Sequence, residues 1–341
     1  MENSKPIQIS VIIPTLNGVG RIEGCLESLF GQDIPRENYE IIVVDDGSSD
    51  ATVEVCLSLN VDRVMVSGRK DIEWSKALGV NNSSGRYVLF IDDDNRLVGK
   101  SWLSNAIKIM EDDHMVGGVE AGYFSYRKDD AMANRYCALM GTNDPLVYYL
   151  RRTDRLTYFD KGWTKASAER YEDANLIKLR FDGFKIPTLG SQGFLTTREL
   201  ISDFPFTDRF LHMDFCAHIS NRRRFFVLTK NSVDHDHCGS SKQFVKKCRR
   251  NATIYLADGG SRSYSYELSL SKKIKLALIC LTFVIPIRDS LRGFSKVRDV
   301  AWFLHPILCC WVFIVYSKLR TEDILRNSLK SFSISQEATK I

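Results

Sequence analysis

The sequence predicts an α/β protein whose mostly parallel sheet is covered by helices on both faces. Three short segments, at residues 9–13, 41–44 and 87–91, are almost continuously apolar, and helical patterns separate them. Strands of this kind are typical of parallel sheets that are buried on both faces. Carboxylates directly follow two of the segments, at Asp45–Asp46 and Asp92–Asp94. Because ligands of open α/β sheets bind beyond the carboxyl ends of the strands, we expect the functional site there.

The pattern divides the chain into three units, residues 1–110, 111–258 and 259–341. The other predicted elements are helices at 21–30, 50–59 and 75–82, strands at 63–66 and 225–229, and a loop leading into a strand at 190–197. The stretch 112–185 has few long apolar runs, and we interpret it as an elaboration over the sheet that shapes a substrate site.

The third unit is basic, whereas the rest of the chain is acidic. From Ser240 to Lys330 there are 17 Lys and Arg against 6 Asp and Glu, an excess of 11, while residues 1–239 have 29 against 35. Two apolar runs, 276–287 and 300–316, are flanked by basic residues and fall short of the roughly 20 residues of a spanning helix. They predict interfacial or re-entrant helices, in one arrangement a hairpin, that bind an anionic membrane surface and not nucleic acid. Buried helices of a soluble fold are the alternative.

Cysteine usage indicates a reducing compartment. The nine cysteines include no C-x-x-C pair, and the first apolar segment, residues 9–13, is too short for the core of a secretory signal. Together with the basic, apolar tail, these features predict a protein at the cytoplasmic face of a membrane.

The strongest chemical signal is the run of three carboxylates at residues 92–94, directly after a predicted strand. Their mutual repulsion requires a cation. Asp92 and Asp94 are two residues apart, so in extended chain their side chains point the same way and can share one hard divalent ion with phosphate oxygens. A solvated acidic turn is the alternative.

A second acidic turn follows the strand at 41–44. Ser49 and Asp50 can cap the next helix, which leaves Asp45 without a structural role. This carboxylate is therefore expected to accept hydrogen bonds from a nucleotide base or from ribose hydroxyls.

Glycines after the first strand raise a different possibility, an NAD-type oxidoreductase. Gly18 and Gly20 followed by Gly24, with the second acidic turn as the ribose-binding carboxylate, resemble a dinucleotide fingerprint. The spacing argues against it, because Glu23 stands where the third glycine belongs and Pro14 opens the turn.

Together, these motifs resemble the family 2 glycosyltransferases of the GT-A fold, a group that includes dolichol-phosphate sugar synthases and enzymes of polysaccharide and lipid-linked glycan assembly. The resemblance is carried by Pro14-Thr15-x-Asn17, by Val44 to Asp50 and by Phe90 to Asp94, in that order. The residues it assigns to the nucleotide sugar are Pro14, Thr15, Asn17, Asp45, Asp46, Asp92 and Asp93, and those it assigns to the metal include Asp92 and Asp94.

Two further segments match the family more loosely. The family has Arg-Asn in the helix before the third motif, where this chain has Lys76-Ala77. Lys76 can supply positive charge to the nucleotide but not a bidentate contact. The segment 190–198 resembles the glycine-containing segment beside the donor sugar, which implicates Gln192 and Gly193.

The resemblance also implies a catalytic base at Asp214. The family has Glu-Asp at this place, where this chain has Met213-Asp214. His212 is near enough in sequence to tune the carboxylate, and a helix cap is the alternative role for Asp214.

A histidine completes the expected metal shell. In many GT-A enzymes a late His or Asp does so, which here implicates His237 ahead of His235. Zinc held only by these two histidines and Cys238 would lack a fourth ligand.

The expected activity is inverting transfer of a sugar from a UDP- or GDP-linked donor to a lipid-linked or glycan acceptor, with Mn²⁺ or Mg²⁺ as cofactor and Asp214 as general base. A polyprenyl-phosphate glycosyl synthase is the nearest alternative, since a phosphate acceptor needs no strong base. A sugar-nucleotide pyrophosphorylase is another, and Met213 in place of Glu leaves open a non-catalytic scaffold.

Overall fold

The computed structural model describes residues 7–153, 155–160, 168–181, 186–257, 262, 264 and 268–338, with side chains of the last helix as far as Arg326. Ten strands in this part of the chain form one sheet. They are β1 (Ile9–Thr15), β2 (Tyr39–Asp45), β3 (Arg63–Val66), β4 (Tyr87–Phe90), β5 (Asn95–Leu97), β6 (Val116–Phe124), β7 (Ala168–Glu172), β8 (Leu176–Phe181), β9 (Phe194–Thr197) and β10 (Phe225–His235). Their order is β3-β2-β1-β4-β9-β6-β10-β8-β7, and β5 pairs with β10 outside this path.

Twelve α-helices in the described residues cover the sheet and form the C-terminal part. They are α1 (Ile22–Phe30), α2 (Thr52–Ser58), α3 (Ile72–Asn81), α4 (Trp102–Asp112), α5 (Met132–Met140), α6 (Pro145–Tyr149), α7 (Arg198–Ser202), α8 (His212–Asn221), α9 (Ser241–Ala257), α10 (Leu270–Thr282), α11 (Val284–Lys296) and α12 (Leu304–Ala338). Short 3₁₀ helices span Arg36–Asn38 and Val300–Phe303.

The N-terminal half of the sheet is the predicted parallel layer. β1 and β2 are buried along their whole lengths. Val11 and Ile13 pack with α1 and α4 on one face, whereas Ile12 packs with α3 and α8 on the other. Burial on both faces explains why these strands are apolar at nearly every position, and the predicted α/β class is confirmed.

The chain reverses its direction across the sheet between β1 and β4. The path runs outward from β1 through β2 to β3 and then returns to the other side of β1 with β4. Such a switch point leaves a crevice at the carboxyl ends of the strands. In the register of β1 and β2, Thr15 lies beside Asp45, so both predicted motifs border this crevice.

The second half of the sheet is mixed. Of the nine strand pairs among the described residues, four are parallel and five are antiparallel. β6 falls in the weakly patterned stretch because glycines interrupt its apolar sequence. A Cβ at Gly118 would lie 2.1 Å from the Phe194 ring, and one at Gly122 would lie 2.4 Å from the Thr229 carbonyl oxygen. Close packing therefore excludes side chains at both positions.

The C-terminal helices do not form a simple hairpin. The first apolar run is broken between α10 and α11 by Phe283, whose φ is +61°. The second run continues into α12. In the described part of the chain one helix, Val300–Arg326, is long and apolar enough to cross a membrane, although 39% of its most apolar stretch is buried. The predicted unit boundary at 258–259 lies outside the described residues.

One face of this C-terminal layer is buried in a core that it shares with α5 and α6. Trp302 is fully buried there. The His305 ring lies between Tyr136 and Tyr149, whose hydroxyls are each 2.8 Å from one of its nitrogens. One side of the helices after residue 268 is therefore buried, as expected for the alternative of buried helices.

A substitution at Gly293, inside α11, tests this packing. A Cβ at that position would lie 2.4 Å from the Trp302 ring, and overpacking a core costs about 1–3 kcal/mol. At an uncrowded helical position the same change stabilises by about 1 kcal/mol, because alanine has the better helix propensity. We expect Gly293→Ala to lower the thermal unfolding midpoint of the full-length protein, followed by circular dichroism.

Gly24→Ala in α1 is the matched control, since its Cβ would meet only the flexible Arg96 side chain, at 3.1 Å. A midpoint for Gly293→Ala at or above that of the wild type would contradict the packing of Trp302 on α11.

Candidate active site

The end of β1 is joined to the acidic turn after β4. Thr15 Oγ1 donates a hydrogen bond to Asp93 Oδ2 at 2.6 Å. Arg21 donates to both oxygens of the same carboxylate, at 3.2 and 3.0 Å. Gly18 packs so closely on this group that a Cβ would lie 2.3 Å from Asp93 Oδ2. The Asp93 carboxylate, predicted at the nucleotide, is thus engaged by contacts within the protein.

The turn after β1 is tied to the turn after β2. Asn17 has a positive φ of 49°, a region that asparagine tolerates better than most residues. Its amide oxygen accepts a hydrogen bond from the Ser49 N–H at 2.9 Å, and its own N–H donates to Ser48 Oγ at 2.8 Å. Asn17 is exposed at the rim of the crevice, whereas Pro14 is buried within β1.

Asp45 and Asp46 both have structural partners, contrary to the expectation for Asp45. Asp45 accepts hydrogen bonds from the N–H groups of Gly47 and Ser48, at 3.0 and 2.9 Å. Asp46 accepts one from the Ser75 hydroxyl at 2.5 Å. Both carboxylates are nearly buried, so the turn after β2 forms a rigid edge of the crevice.

Beneath the acidic turn, α3 and the start of α8 hold a triad of the buried Glu73 and Lys76 with the partly buried His212. Lys76 Nζ lies 3.7 Å from Glu73 Oε2 and 3.3 Å from His212 Nδ1. His212 Nδ1 is 2.9 Å from Glu73 Oε1. Lys76 is only 1% exposed, so its charge acts from beneath the site. The His212 ring, expected near Asp214, faces α3 instead.

The same surroundings shift two pKa values in opposite directions. Burial alone would raise the pKa of Glu73, but Lys76 and His212 outweigh it and lower this pKa to about 2. Burial, opposed by Lys76 and reinforced by the neighbouring carboxylates, raises the pKa of Asp92 to about 7. Asp92 Oδ1 is buried without a hydrogen-bond partner among the described residues. An unpartnered carboxylate oxygen at this position fits a hard divalent cation.

β10 and α9 bring two side chains to Asp94. His235, the last residue of β10, has its Nε2 3.6 Å from Asp94 Oδ1, and Lys247 Nζ is 3.5 Å from Oδ2. The antiparallel register of β10 and β5 pairs His235 with Asn95 and so fixes this approach. Burial, opposed by Asp94, lowers the pKa of His235 to about 4, which keeps the imidazole neutral near pH 7. A neutral imidazole beside carboxylates is able to bind Mn²⁺.

The ring of His237 lies 5.1 Å from that of His235, centroid to centroid, but has other polar neighbours. It follows the end of β10, and its N–H donates a hydrogen bond to Asn134 Oδ1 at 2.9 Å. Its ring approaches the sulfurs of Cys137 and Cys238. The structure therefore brings His235 to Asp94, although the sequence favoured His237.

The loop before β9 closes one wall of the crevice. The Gly193 N–H donates to the last carbonyl of β4 at 3.0 Å. Arg155 donates to the Gln192 carbonyl at 2.9 Å and forms a buried ion pair with Glu120. Glu120 also accepts a hydrogen bond from the Gly190 N–H at 2.6 Å. The backbone of the predicted donor-sugar segment is thus held against β4.

Asp214 lies in the first turn of α8 and is 4% exposed. The helix begins at His212 without a side-chain cap, so Asp214 does not cap it. Its Oδ1 accepts a hydrogen bond from the N–H of Tyr264 at 3.0 Å. Tyr264 is itself buried, and its hydroxyl donates to the Ile186 carbonyl at 3.1 Å. The candidate base is therefore held by a residue of the C-terminal unit.

Residues 10–203, more than half of the chain, match the protein family described as Glycosyl transferase family 2. The chain belongs to this family. This membership sets aside the oxidoreductase and pyrophosphorylase alternatives.

Known relatives cover only parts of this family 2 chain. Glycosyltransferase GlyA of Streptococcus pneumoniae is 30% identical over 205 residues, which are 56% of this chain and 28% of GlyA. Glycosyltransferase AglE of Haloferax volcanii is 29% identical over 136 residues, which are 38% of this chain and 43% of AglE. The matches thus span less than half the length of either relative.

A solved mannosyltransferase structure has the same fold. The mannosyltransferase PcManGT of Pyrobaculum calidifontis, in complex with GDP-Man and Mn²⁺, is similar with a TM-score of 0.53 at 15% identity, over 93% of this chain and 89% of that one. The predicted GT-A architecture is confirmed by this likeness.

Several residues that build the site were not found from the sequence. Glu73 could have been identified from the sequence, because a glutamate three residues before Lys76 lies on the same helix face. The ion pair of Glu120 with Arg155 joins residues 35 positions apart, on elements whose pairing no local pattern reveals.

Glu73→Gln should destabilise the protein, because it leaves Lys76 buried without its carboxylate. Removing one partner of a buried ion pair costs about 3–5 kcal/mol, measurable by urea unfolding of the full-length protein. Glu73→Gln combined with Lys76→Met is the control and should recover most of the loss. Equal losses in the single and double variants would contradict the electrostatic explanation.

The lowered pKa of Glu73 also predicts that the stability lost in Glu73→Gln depends on pH. The pKa of Glu73 in the folded protein, about 2, lies below its ordinary value of 4.5, so its stabilising contribution is complete above the ordinary value and declines as the pH falls toward 2. The difference in unfolding free energy between wild type and Glu73→Gln should therefore be constant above about pH 5 and shrink below it. A difference that stays constant down to pH 3 would contradict this assignment.

Proposed function

We propose that this glycosyltransferase acts with inversion, uses a UDP- or GDP-linked sugar and a divalent cation, and serves a lipid-linked or glycan acceptor at a membrane surface. The observation that carries the proposal is the corner at the end of β4. There Asp92 Oδ1 has no partner among the described residues, and Asp94 faces His235. Two carboxylates and a neutral imidazole suit Mn²⁺ or Mg²⁺. PcManGT, with the same fold, is known in complex with GDP-Man and Mn²⁺.

The charges around this corner suit a diphosphate. A bound cation would offset the charge that develops on the leaving nucleotide. Lys247, 3.5 Å from Asp94, supplies a second positive charge on the same side, and Lys76 balances the carboxylates from beneath. The rigid turns after β1 and β2 form the opposite rim, where a nucleoside would bind.

Asp94→Asn should abolish Mn²⁺-dependent nucleotide binding without unfolding the protein, because Asp94 is partly exposed and supplies a ligand charge. Calorimetry with UDP and with GDP, each with and without Mn²⁺, measures this. His235→Ala should weaken the same binding by at least the roughly 10–100-fold that loss of a supporting residue costs.

The corresponding His237→Ala variant distinguishes the two histidines. Its effect on Mn²⁺-dependent nucleotide binding should be smaller than that of His235→Ala. The reverse order would move the metal ligand to His237, and unchanged affinity in Asp94→Asn would contradict the metal site itself.

Asp214 is the proposed general base for a hydroxyl acceptor. It follows His212 by two residues on α8, and the His212 ring belongs to the triad beneath Asp92, so both groups lie at the same end of the sheet. The Tyr264 N–H holds one carboxylate oxygen in place. A carboxylate of fixed orientation can take the acceptor proton as the hydroxyl attacks the anomeric carbon.

Asp214→Asn keeps the side-chain size and the acceptor for the Tyr264 N–H but removes the basic group. Turnover should fall by roughly 10²–10⁴-fold with little change in donor KM. Transfer from labelled UDP- and GDP-sugars into membrane lipid extract measures this, and an unchanged unfolding midpoint controls for structure. Near wild-type turnover would assign Asp214 to positioning and favour the polyprenyl-phosphate synthase alternative, whose acceptor is already ionised.

The outer face of the C-terminal layer supports membrane attachment. Its exposed large apolar side chains are Leu270, Ile274, Leu278, Leu281, Val284, Ile287, Leu291, Val300, Phe303, Ile307, Trp311 and Ile314. Along α10 they recur every third or fourth residue, and therefore on one helix face. Three exposed lysines, Lys272, Lys273 and Lys275, lie on the same helix. An exposed apolar face with basic neighbours is typical of helices that lie in a membrane interface.

Reversing the charge of these three lysines should weaken membrane binding. Each lysine near an anionic surface contributes about 1 kcal/mol, so Lys272→Glu/Lys273→Glu/Lys275→Glu should lose at least tenfold in affinity for phosphatidylglycerol-containing vesicles, measured by flotation. A second triple variant, Lys100→Glu/Lys108→Glu/Lys128→Glu, makes the same charge change at exposed positions of the body. Equal losses in both variants, or no flotation of the wild type, would contradict the attachment.

A further inference from the structure

A second group of metal-binding side chains lies behind the end of β10. Cys137 of α5 and His237 and Cys238 of the loop after β10 are all buried, and their ligand atoms lie within 4.8 Å of one another. We propose that these three side chains bind a zinc ion at a site separate from the carboxylate corner at Asp94.

These ligands favour zinc over the Mn²⁺ or Mg²⁺ proposed for the carboxylate corner at Asp94. Thiolate sulfur and imidazole nitrogen are the preferred ligands of Zn²⁺, whereas Mn²⁺ and Mg²⁺ prefer carboxylate and phosphate oxygens. Two thiolates also neutralise the charge of Zn²⁺, so the bound ion adds no net charge to a buried place. From the sequence, only His235, His237 and Cys238 were candidates for such a site. The structure brings Cys137 to His237 and Cys238, so a second thiolate takes the place of His235 in a set of three ligands.

The distances are compatible with tetrahedral coordination. Two Zn–S bonds of about 2.3 Å place their sulfurs about 3.8 Å apart, so the three ligand atoms need to approach one another by at most about 1 Å. Three protein ligands leave one position for water, as in other three-ligand zinc sites.

An unpartnered group distinguishes this cluster from an ordinary core. Buried thiols alone are common in cores, but His237 Nε2 is buried without a hydrogen-bond partner among the described residues. Only 7% of His237 is exposed, and a buried polar nitrogen without a partner is costly. A zinc ion bound through this nitrogen would satisfy it.

A neighbouring cysteine falls outside the ligand set and serves as a matched control. Cys248 of α9 is buried in the same apolar core. Its sulfur lies 3.6 Å from the Asn143 carbonyl oxygen, to which it donates a hydrogen bond. Cys248→Ser therefore removes a buried thiol from this core without removing a proposed ligand.

A zinc ion at this position would join two elements of the fold. It would tie α5 to the loop that directly follows His235, and the Asn134 contact to the His237 N–H already joins the same two elements. An ion there would hold the end of β10, and with it the imidazole that faces Asp94.

The test is metal content of the purified, detergent-solubilised full-length protein. The reduced protein is dialysed against a mild chelator, then incubated with Zn²⁺ or with Mn²⁺, desalted and analysed for metals. Wild type and Cys248→Ser should each retain about one zinc per chain. Cys137→Ser and Cys238→Ser should retain at least tenfold less. Asp94→Asn should keep the zinc while losing Mn²⁺-dependent nucleotide binding, which separates the two sites.

Cobalt substitution adds a measurement that does not depend on stability of the variants. Co²⁺ bound to the wild type should show the sulfur-to-cobalt charge-transfer absorption of thiolate ligands. Wild-type protein that retains no zinc, equal zinc content in Cys137→Ser, zinc loss in Cys248→Ser, or a Cys137–Cys238 disulfide found by mass spectrometry in unreduced protein would each overturn the proposed site.

Discussion

Three consecutive carboxylates at the end of β4 impose the constraint around which the rest of the site is arranged. Two like charges about 6 Å apart repel by roughly 3 kcal/mol at an effective dielectric constant of 20. The fold offsets this repulsion separately for each carboxylate. Asp93 pairs with Arg21, Asp94 faces Lys247, and a buried lysine of α3 acts on Asp92 from beneath. These cations come from the residue before α1, from α9 and from α3, so three distant elements are tied to one turn.

The features that could be predicted from the sequence are those that leave a pattern in neighbouring residues. The strands of the parallel half were predictable because burial on both faces makes them apolar without interruption. β6 was not predictable, because Gly118 and Gly122 interrupt its apolar pattern. At both positions neighbouring residues leave no room for a side chain. The sequence could not choose between His235 and His237 for a similar reason. Their ring centroids lie 5.1 Å apart, and only the pairing of β10 with β5 shows that His235 lies beside Asp94.

The composition of the C-terminal unit did not decide between buried helices and helices that contact a membrane. The sequence predicted apolar helices with basic flanks and allowed either burial or membrane contact. In the structure one face of this layer is buried, and the opposite face exposes apolar side chains. Trp302 and His305 face the shared core, while Leu278 and Trp311 face outward. Only tertiary packing decides which residues of an apolar helix are covered, and no periodicity in the runs themselves contained that information.

This packing also joins the C-terminal layer to the donor site. α9 carries Lys247 toward Asp94 on one side and packs against α12 on the other. Phe244 and Cys248 of α9 are buried in the core that α12 completes. A chain cut near residue 258 would expose these side chains and loosen the helix that positions Lys247. The proposed membrane attachment and the proposed nucleotide binding therefore depend on one structural element, and a shortened chain would not separate them cleanly.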